Sequence, residues 1–256
     1  MKKILFAIAL AVVATACNNG EEQTSQFKEY GIAIEATTRA EVSESNSEEN
    51  GFSLRNWGVV PSVNDLKVEI FGNDTTWSWN TLAEFNAENN IPGSEEKNLL
   101  FPAVPHTVTL SYGEKGGEGW SMPHFEGSTI VNVPKFELVA EAQVEVILTN
   151  SIVAIETTNN FNGYFPQSAF KVNGVEWDST KHELLFMNAG EVTISCEATR
   201  QTGKITNLES KIVLKPTTRH TILFDLSTAG NTVVNVTLDN EIVETIELEF
   251  ELNDNA

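Results

Sequence analysis

Cysteine, basic residues and long apolar runs are all scarce in this 256-residue chain, and each scarcity excludes something. Cys17 and Cys196 are its two cysteines, too few for a multi-bridge framework, and if Cys17 is lipidated no internal disulfide is possible at all. Lys and Arg number 16 against 36 Asp and Glu, a net charge of −20. Such a surface repels phosphate backbones and anionic headgroups, which excludes DNA and RNA as partners. No stretch reaches the roughly 18 apolar residues of a membrane-spanning helix, and no long segment carries helical periodicity. The four histidines, at 106, 124, 182 and 220, are scattered without HExxH or paired spacing, so no zinc site is indicated. There is no GxSxG elbow. The loop at 113–119 is glycine-rich but lacks the GxxxxGK[ST] order of a phosphate loop. Asp74, Asp225 and Asp239 stand outside any D-x-[DN]-x-[DN]-G series, so no dedicated calcium site is read. With 36 acidic residues, some will lie close by chance, and no pair is singled out for acid–base work. The expectation is therefore a non-enzymatic protein with no cofactor and no metal.

What is present begins with MKKILFAIALAVVATAC. Lys2 and Lys3 precede an apolar run over residues 4–14, and small residues at 14–16 lead to Cys17. This is a secretory signal, too short to be a span. With cysteine at the cut it resembles a bacterial lipoprotein signal, although Ala14 stands where such signals usually carry Leu. The resemblance implies that residues 1–16 are removed and that a lipid on Cys17 holds the protein to the outer membrane, on its cell-surface side or, alternatively, its periplasmic face. The alternative is an ordinary secreted protein cut nearby. Loss of Lys2 and Lys3 would take the charge from −20 to −22. Residues 17–28 read as a polar tether. Gly20-Glu21-Glu22 resembles the acidic export tags of some Bacteroidota lipoproteins.

Beyond residue 29 the texture is all-β. Short alternating segments recur at 30–36, 66–71, 76–79, 107–113, 129–133, 140–148 and 152–155. In the second half they recur at 169–172, 183–186, 192–198, 211–214, 220–226, 232–238 and 246–252. Turn residues separate them, as in antiparallel sandwiches or barrels. Residues 37–51 read as loop, 82–85 as a helical turn and 86–97 as irregular. Cys196 lies on the apolar face of Val192, Ile194 and Ala198, which makes it a core residue. The series at Val108, Thr129 and Val144 compares with a second at Val192, Lys211 and Thr221. This suggests a duplication. We therefore expect two tandem antiparallel Greek-key β-sandwich domains, residues 29–157 and 158–256, joined near the Asn/Thr cluster at 157–163.

Gly119-Trp120-Ser121-Met122-Pro123-His124-Phe125-Glu126-Gly127, between the segments at 107–113 and 129–133, resembles the hallmark of the DUF4493 family, Bacteroidota lipoproteins of unassigned function. His124 stands where that family usually has Tyr, and Pro105-His106 where a Gly-Tyr usually precedes the strand. Residues 230–239 resemble the family's closing stretch. More distantly, a lipid anchor before two sandwiches is similar to fimbrillin-type proteins, with a transthyretin-like strand arrangement. That likeness implies partners gained by β-strand pairing, with Arg39 and Arg55 as cleavage points that free a first strand. Asp74-Thr75-Thr76 and Asp178-Ser179-Thr180 resemble Bacteroidota O-glycosylation acceptors.

The candidate ligand surface is aromatic: Trp77, Trp79, Tyr112, Trp120, His124 and Phe125. Four of them have a second reading as core, and His124 has one as a surface or hydrogen-bonded residue. Trp77 and Trp79 share one strand face and suit a sandwich interior, and Trp120 and Phe125 suit packing across a loop stiffened by Pro123. Two functions follow. The first is a structural or interaction lipoprotein, fimbria-associated or adhesive, which requires an open sheet edge or a replaceable terminal strand. The second is a surface module for a glycan or host ligand, which requires an exposed aromatic patch beside polar groups.

Overall fold

A computed structural model describes residues 29–45, 47–132, 139–228, 233–238 and 241–247. The leader, Cys17 and the tether lie outside the described residues. The first half runs β1 (Glu29–Thr38), β2 (Glu41–Glu44), β3 (Ser47–Ser53), β4 (Lys67–Gly72), β5 (Thr75–Trp79), β6 (Phe101–Pro102), β7 (Pro105–Tyr112), β8 (Gly119–Trp120), β9 (Phe125–Asn132) and β10 (Val139–Leu148). The second runs β11 (Ser151–Thr157), β12 (Gln167–Val172), β13 (Val175–Trp177), β14 (Leu185–Met187), β15 (Gly190–Thr199), β16 (Ile205–Leu214), β17 (Thr218–Thr228), β18 (Val233–Leu238) and β19 (Glu241–Glu247). Helices α1 (Leu82–Asn89) and α2 (Asn159–Tyr164) are short insertions. The fold is all-β and sandwich-like.

Alternation explains the strands. Val68 and Ile70 of β4 point inward while Lys67, Glu69 and Phe71 point out. Ala140, Ala142, Val144, Val146 and Leu148 of β10 form one buried face, as do Val192, Ile194, Cys196 and Ala198 of β15. Period-two burial of this kind fixes register, because a one-residue slip would turn every apolar side chain to water. Two cores result. One gathers the inward faces of β1, β4, β7 and β10, and the other those of β12, β15 and β17. Ile152 of β11 belongs to the first core, whereas Val153 and Ile155 belong to the second.

One sheet has the order β5-β4-β7-β9-β10-β1-β6, and a four-stranded sheet the order β13-β12-β15-β16. A third runs β19-β18-β17-β11-β14-β8, with the β2–β3 hairpin attached through β17. The two halves repeat one pairing scheme. β1 lies parallel to β10 as β11 does to β17. The β4–β5 hairpin flanks β7 as β12–β13 flanks β15, and β9 follows β7 as β16 follows β15. The sequence series at 108, 129 and 144 therefore falls on β7, β9 and β10, and its counterpart on β15, β16 and β17.

The halves also interlock. β8 of the first pairs with β14 of the second, and β2 lies parallel to β17 through Thr218↔Ser43. This explains why residues 37–51 are not loop. Their Ser/Glu/Asn content has low strand propensity, but pairing overrides it: 37–38 extend β1 along β10, β2 lies on β17, and β3 pairs back on β2. The helix α2 also sits where the sequence suggested a linker. Thr158 caps it, its hydroxyl accepting from Phe161 N–H, and Phe161 is buried. Helix α1 outruns the expected single turn. Thr81 accepts from Glu84 N–H at 3.0 Å, and Glu84 accepts in turn from Asn80 N–H at 3.1 Å. This is close to a capping box.

Candidate functional site

The six aromatic candidates do not form one surface. Trp77 stands edge-on to Phe101, 5.2 Å between ring centres, and Trp79 edge-on to Phe85 at 4.9 Å. Both are half-buried against the first core, and the Trp79 indole N–H donates to Glu88 at 2.8 Å. Phe125 is 0% exposed and His124 5%, so neither ring can meet a ligand. Alternation decides this: Phe125 opens β9 on its inward face. Trp120 is half-buried beside Trp177, 5.2 Å between ring centres, with Lys181 Nζ 4.8 Å above it. Its indole N–H donates to Glu176 O at 3.0 Å, which ties the first half to the second. Tyr112 alone of the six is exposed, at 38%.

His124 is instead a structural hub. Its N–H donates to Asn150 Oδ1 at 2.8 Å, its carbonyl accepts from Thr149 N–H at 2.8 Å, and Nδ1 lies 2.6 Å from Thr149 Oγ1. Burial pushes its pKa below 6.5, against the opposing pull of Glu126. Asn150 Nδ2 donates to Met122 O at 3.3 Å and to Gly117 O at 3.5 Å, so one buried amide pins the whole loop between β7 and β9. His106 is fully buried with Nδ1 2.7 Å from Val104 O, and burial lowers its pKa too. Gly72 makes room for that ring, since a Cβ there would overlap it.

Trp57 is the aromatic residue that sequence reasoning missed. It ends the 3-10 turn Leu54–Trp57, where Gly58 caps the turn in the left-handed region. Trp57 is 43% exposed and Met122 37%. These two and Tyr112 line a groove of about 630 Å³ whose walls are residues 57–61, 112–114 and 121–123. Ser121 holds φ +54°, and its N–H donates to Leu184 O at 2.9 Å. Gly113 is irreplaceable at φ +82°, where a Cβ would strike Pro123 O. A second hollow of about 430 Å³, lined by Thr38, Arg55 and Ser62, shares Gly58, Val60 and Pro61 with the groove. The signal in sequence was slight: a lone Trp-Gly before Val-Val-Pro.

Among the described residues no group of three or more His, Cys, Asp or Glu is arranged to hold a metal ion, and no helix is long and apolar enough to cross a membrane. The Asp178-Ser179-Thr180 motif forms an Asx turn, with Asp178 Oδ1 accepting from Thr180 N–H and its hydroxyl.

The model of the domain of unknown function DUF4493 matches residues 32–254. The chain belongs to the DUF4493 family. Within this DUF4493 chain, the motif's Trp120 ties the two halves together and its Phe125 fills the first core. No curated protein matches. Among solved structures, the fimbrial anchor protein Mfa2 from Porphyromonas gingivalis is similar at 7% identity and a TM-score of 0.37, over 86% of this chain and 100% of that one. A fimbrial assembly protein from Parabacteroides distasonis is similar at 7% identity and 0.41, over 86% and 98%. A fimbrial protein from Bacteroides ovatus is similar at 11% and 0.35, over 77% and 49%. At such scores these likenesses decide nothing about this chain's function.

Proposed function

We propose that this protein is a non-catalytic structural or adhesive component of the cell envelope, lipid-anchored through Cys17, that engages protein partners by strand pairing. The observation that carries the reading is the edge strand β5, Thr75–Trp79, with sequence Thr-Thr-Trp-Ser-Trp. It pairs with β4 on one side and has no strand on the other among the described residues. Natural edges are blunted by charges, proline or bulges, and β5 has none of these. The edge strand β16 differs: it carries Glu209 and Lys211, and Lys211 pairs with Glu191 of β15 at 2.7 Å. An uncharged, β-branched and aromatic edge is a template for a partner strand, which would gain main-chain hydrogen bonds. The leader ending in Cys17 supports the anchor, and the repeated pairing scheme supports two Greek-key units.

Two measurements test the reading. Detergent partitioning and protease accessibility on intact cells should show a membrane-bound, surface-cleavable protein, and Cys17→Ser should release it from the membrane. Protection of the native protein inside intact cells would overturn the surface role. Ser78→Lys faces Glu69 across the β4 pair. It should leave stability within about 0.5 kcal/mol and abolish cross-linking of β5 to its partner. Unchanged cross-linking would overturn β5 as the pairing edge.

A further inference from the structure

We infer that the groove between Trp57, Tyr112 and Met122 is a binding site for a neutral oligosaccharide chain. Large exposed apolar side chains are normally scattered singly over a surface. Here three of them, each more than a third exposed, converge on one concavity. Neither ring fills a core: Trp57 ends the 3-10 turn with Phe52 6.0 Å away between ring centres, and Tyr112 ends β7 as an exposed residue after its buried positions.

The walls are built to stay in place. Gly113 and Ser121 sit in the left-handed region, and Asn150 grips the Met122 carbonyl from below. A non-glycine residue held at positive φ costs on the order of 1 kcal/mol and persists where surroundings over-determine it. Such pre-organisation lowers the entropy lost when a ligand is bound.

The chemistry of the rim selects the ligand. Glu114 and Ser121 border the rings, and Thr38, Arg55 and Ser62 border the adjoining hollow. A pyranose presents flat C–H faces to aromatic rings and a belt of hydroxyls to such donors and acceptors, and sites of this mixed character are typical for small polar ligands. A proline-rich peptide also suits an aromatic groove. Its missing N–H groups, however, give the Glu114 carboxylate no donor, whereas a sugar's hydroxyls can donate to Glu114 and also accept from Ser121 and Arg55. The net charge of −20 disfavours anionic polysaccharides. Continuity of the two hollows through Gly58, Val60 and Pro61 favours a chain of several sugars over one. This inference stands whether or not β5 pairs with a partner.

The test uses the full chain in a detergent without a sugar headgroup. It would be titrated calorimetrically with linear α-glucan, β-glucan, mannan and galactan fragments of about six units. At least one should bind saturably with a Kd of about 1 mM or tighter. Trp57→Ala and Tyr112→Ala should each weaken it by about tenfold or more with unchanged denaturation midpoints. Phe71→Ala, an equally exposed aromatic position outside the groove, should leave it within about twofold. Binding of none of the four, binding indifferent to both groove variants, or a groove that accepts a poly-proline peptide instead, each overturns the inference.

Discussion

At the scale of single residues, the chemistry-bearing side chains have been spent on structure. Cys196 is 2% exposed, and burial pushes its thiol up to about 12. The folded protein should therefore resist iodoacetamide at pH 8 and react at once in denaturant, which labelling followed by mass measurement reads directly. His106 and His124 give a pH signature. An unfolded histidine titrates near 6.5, whereas burial lowers both in the fold. Below pH 6.5 the unfolded chain thus binds protons that the folded one refuses. Stability should be whole above that pH and fall as pH drops toward the folded values, at up to about 1.4 kcal/mol per pH unit for each histidine. His106→Phe should flatten the urea-midpoint profile between pH 7.5 and 5; an unaltered slope would show that the ring is not the source. Alternation predicted Cys196 as core, because Val192, Ile194 and Ala198 share its face. It was silent on Trp57, whose exposure depends on a capped turn with no period.

At the scale of elements, the loop between β7 and β9 matters most. Its residues 117–124 hang on Asn150, which is 2% exposed and makes three side-chain hydrogen bonds to that loop. Asn150→Ala leaves a buried N–H and two carbonyls unpaired, so unfolding free energy should fall by about 1–3 kcal/mol in urea titration. The same variant should loosen the groove wall at Met122. Strands with clean alternation, such as β4, β10 and β15, were legible because burial on one face is written into the sequence at period two. The strands β2 and β3 were not legible, since β2's ladder to the distant β17, and β3's pairing with β2, outweigh the weak propensity of Ser, Glu and Asn. Helix α2 was missed for a related reason: six residues are too few for a helical period to show.

At the scale of the whole molecule, two similar halves are cross-stitched. β2 joins β17, β8 joins β14, and Trp120 bonds to the Glu176 carbonyl while stacking near Trp177. Calorimetry should therefore give one transition with matching calorimetric and van't Hoff enthalpies. Trp120→Ala should broaden or split it, because the indole both hydrogen-bonds Glu176 O and packs on Trp177 across the junction. A variant that melts as sharply as the parent would show the stitching to be backbone alone. The aromatic candidates divide along the same junction. Trp77 and Trp79 stay with the first core, Trp120 locks the halves together, and only Tyr112 is left to face a groove.

The all-β class, the apolar faces of the main strands, the repeated series and the membership of the DUF4493 family are all legible in the chain of residues alone. These are properties of local pattern: burial on alternate residues and turn chemistry between strands need no knowledge of what lies across the sheet. Long-range packing sets the rest: that the hairpin at 41–53 docks on β17, that β8 crosses to the second half, and that Trp57 and Tyr112 share a groove while Trp120 does not. The docking of the hairpin on β17, the β8–β14 pairing and the groove all rest on contacts between residues about 50 to 180 positions apart in sequence, where pairing and packing free energies outweigh the preferences of the residues themselves.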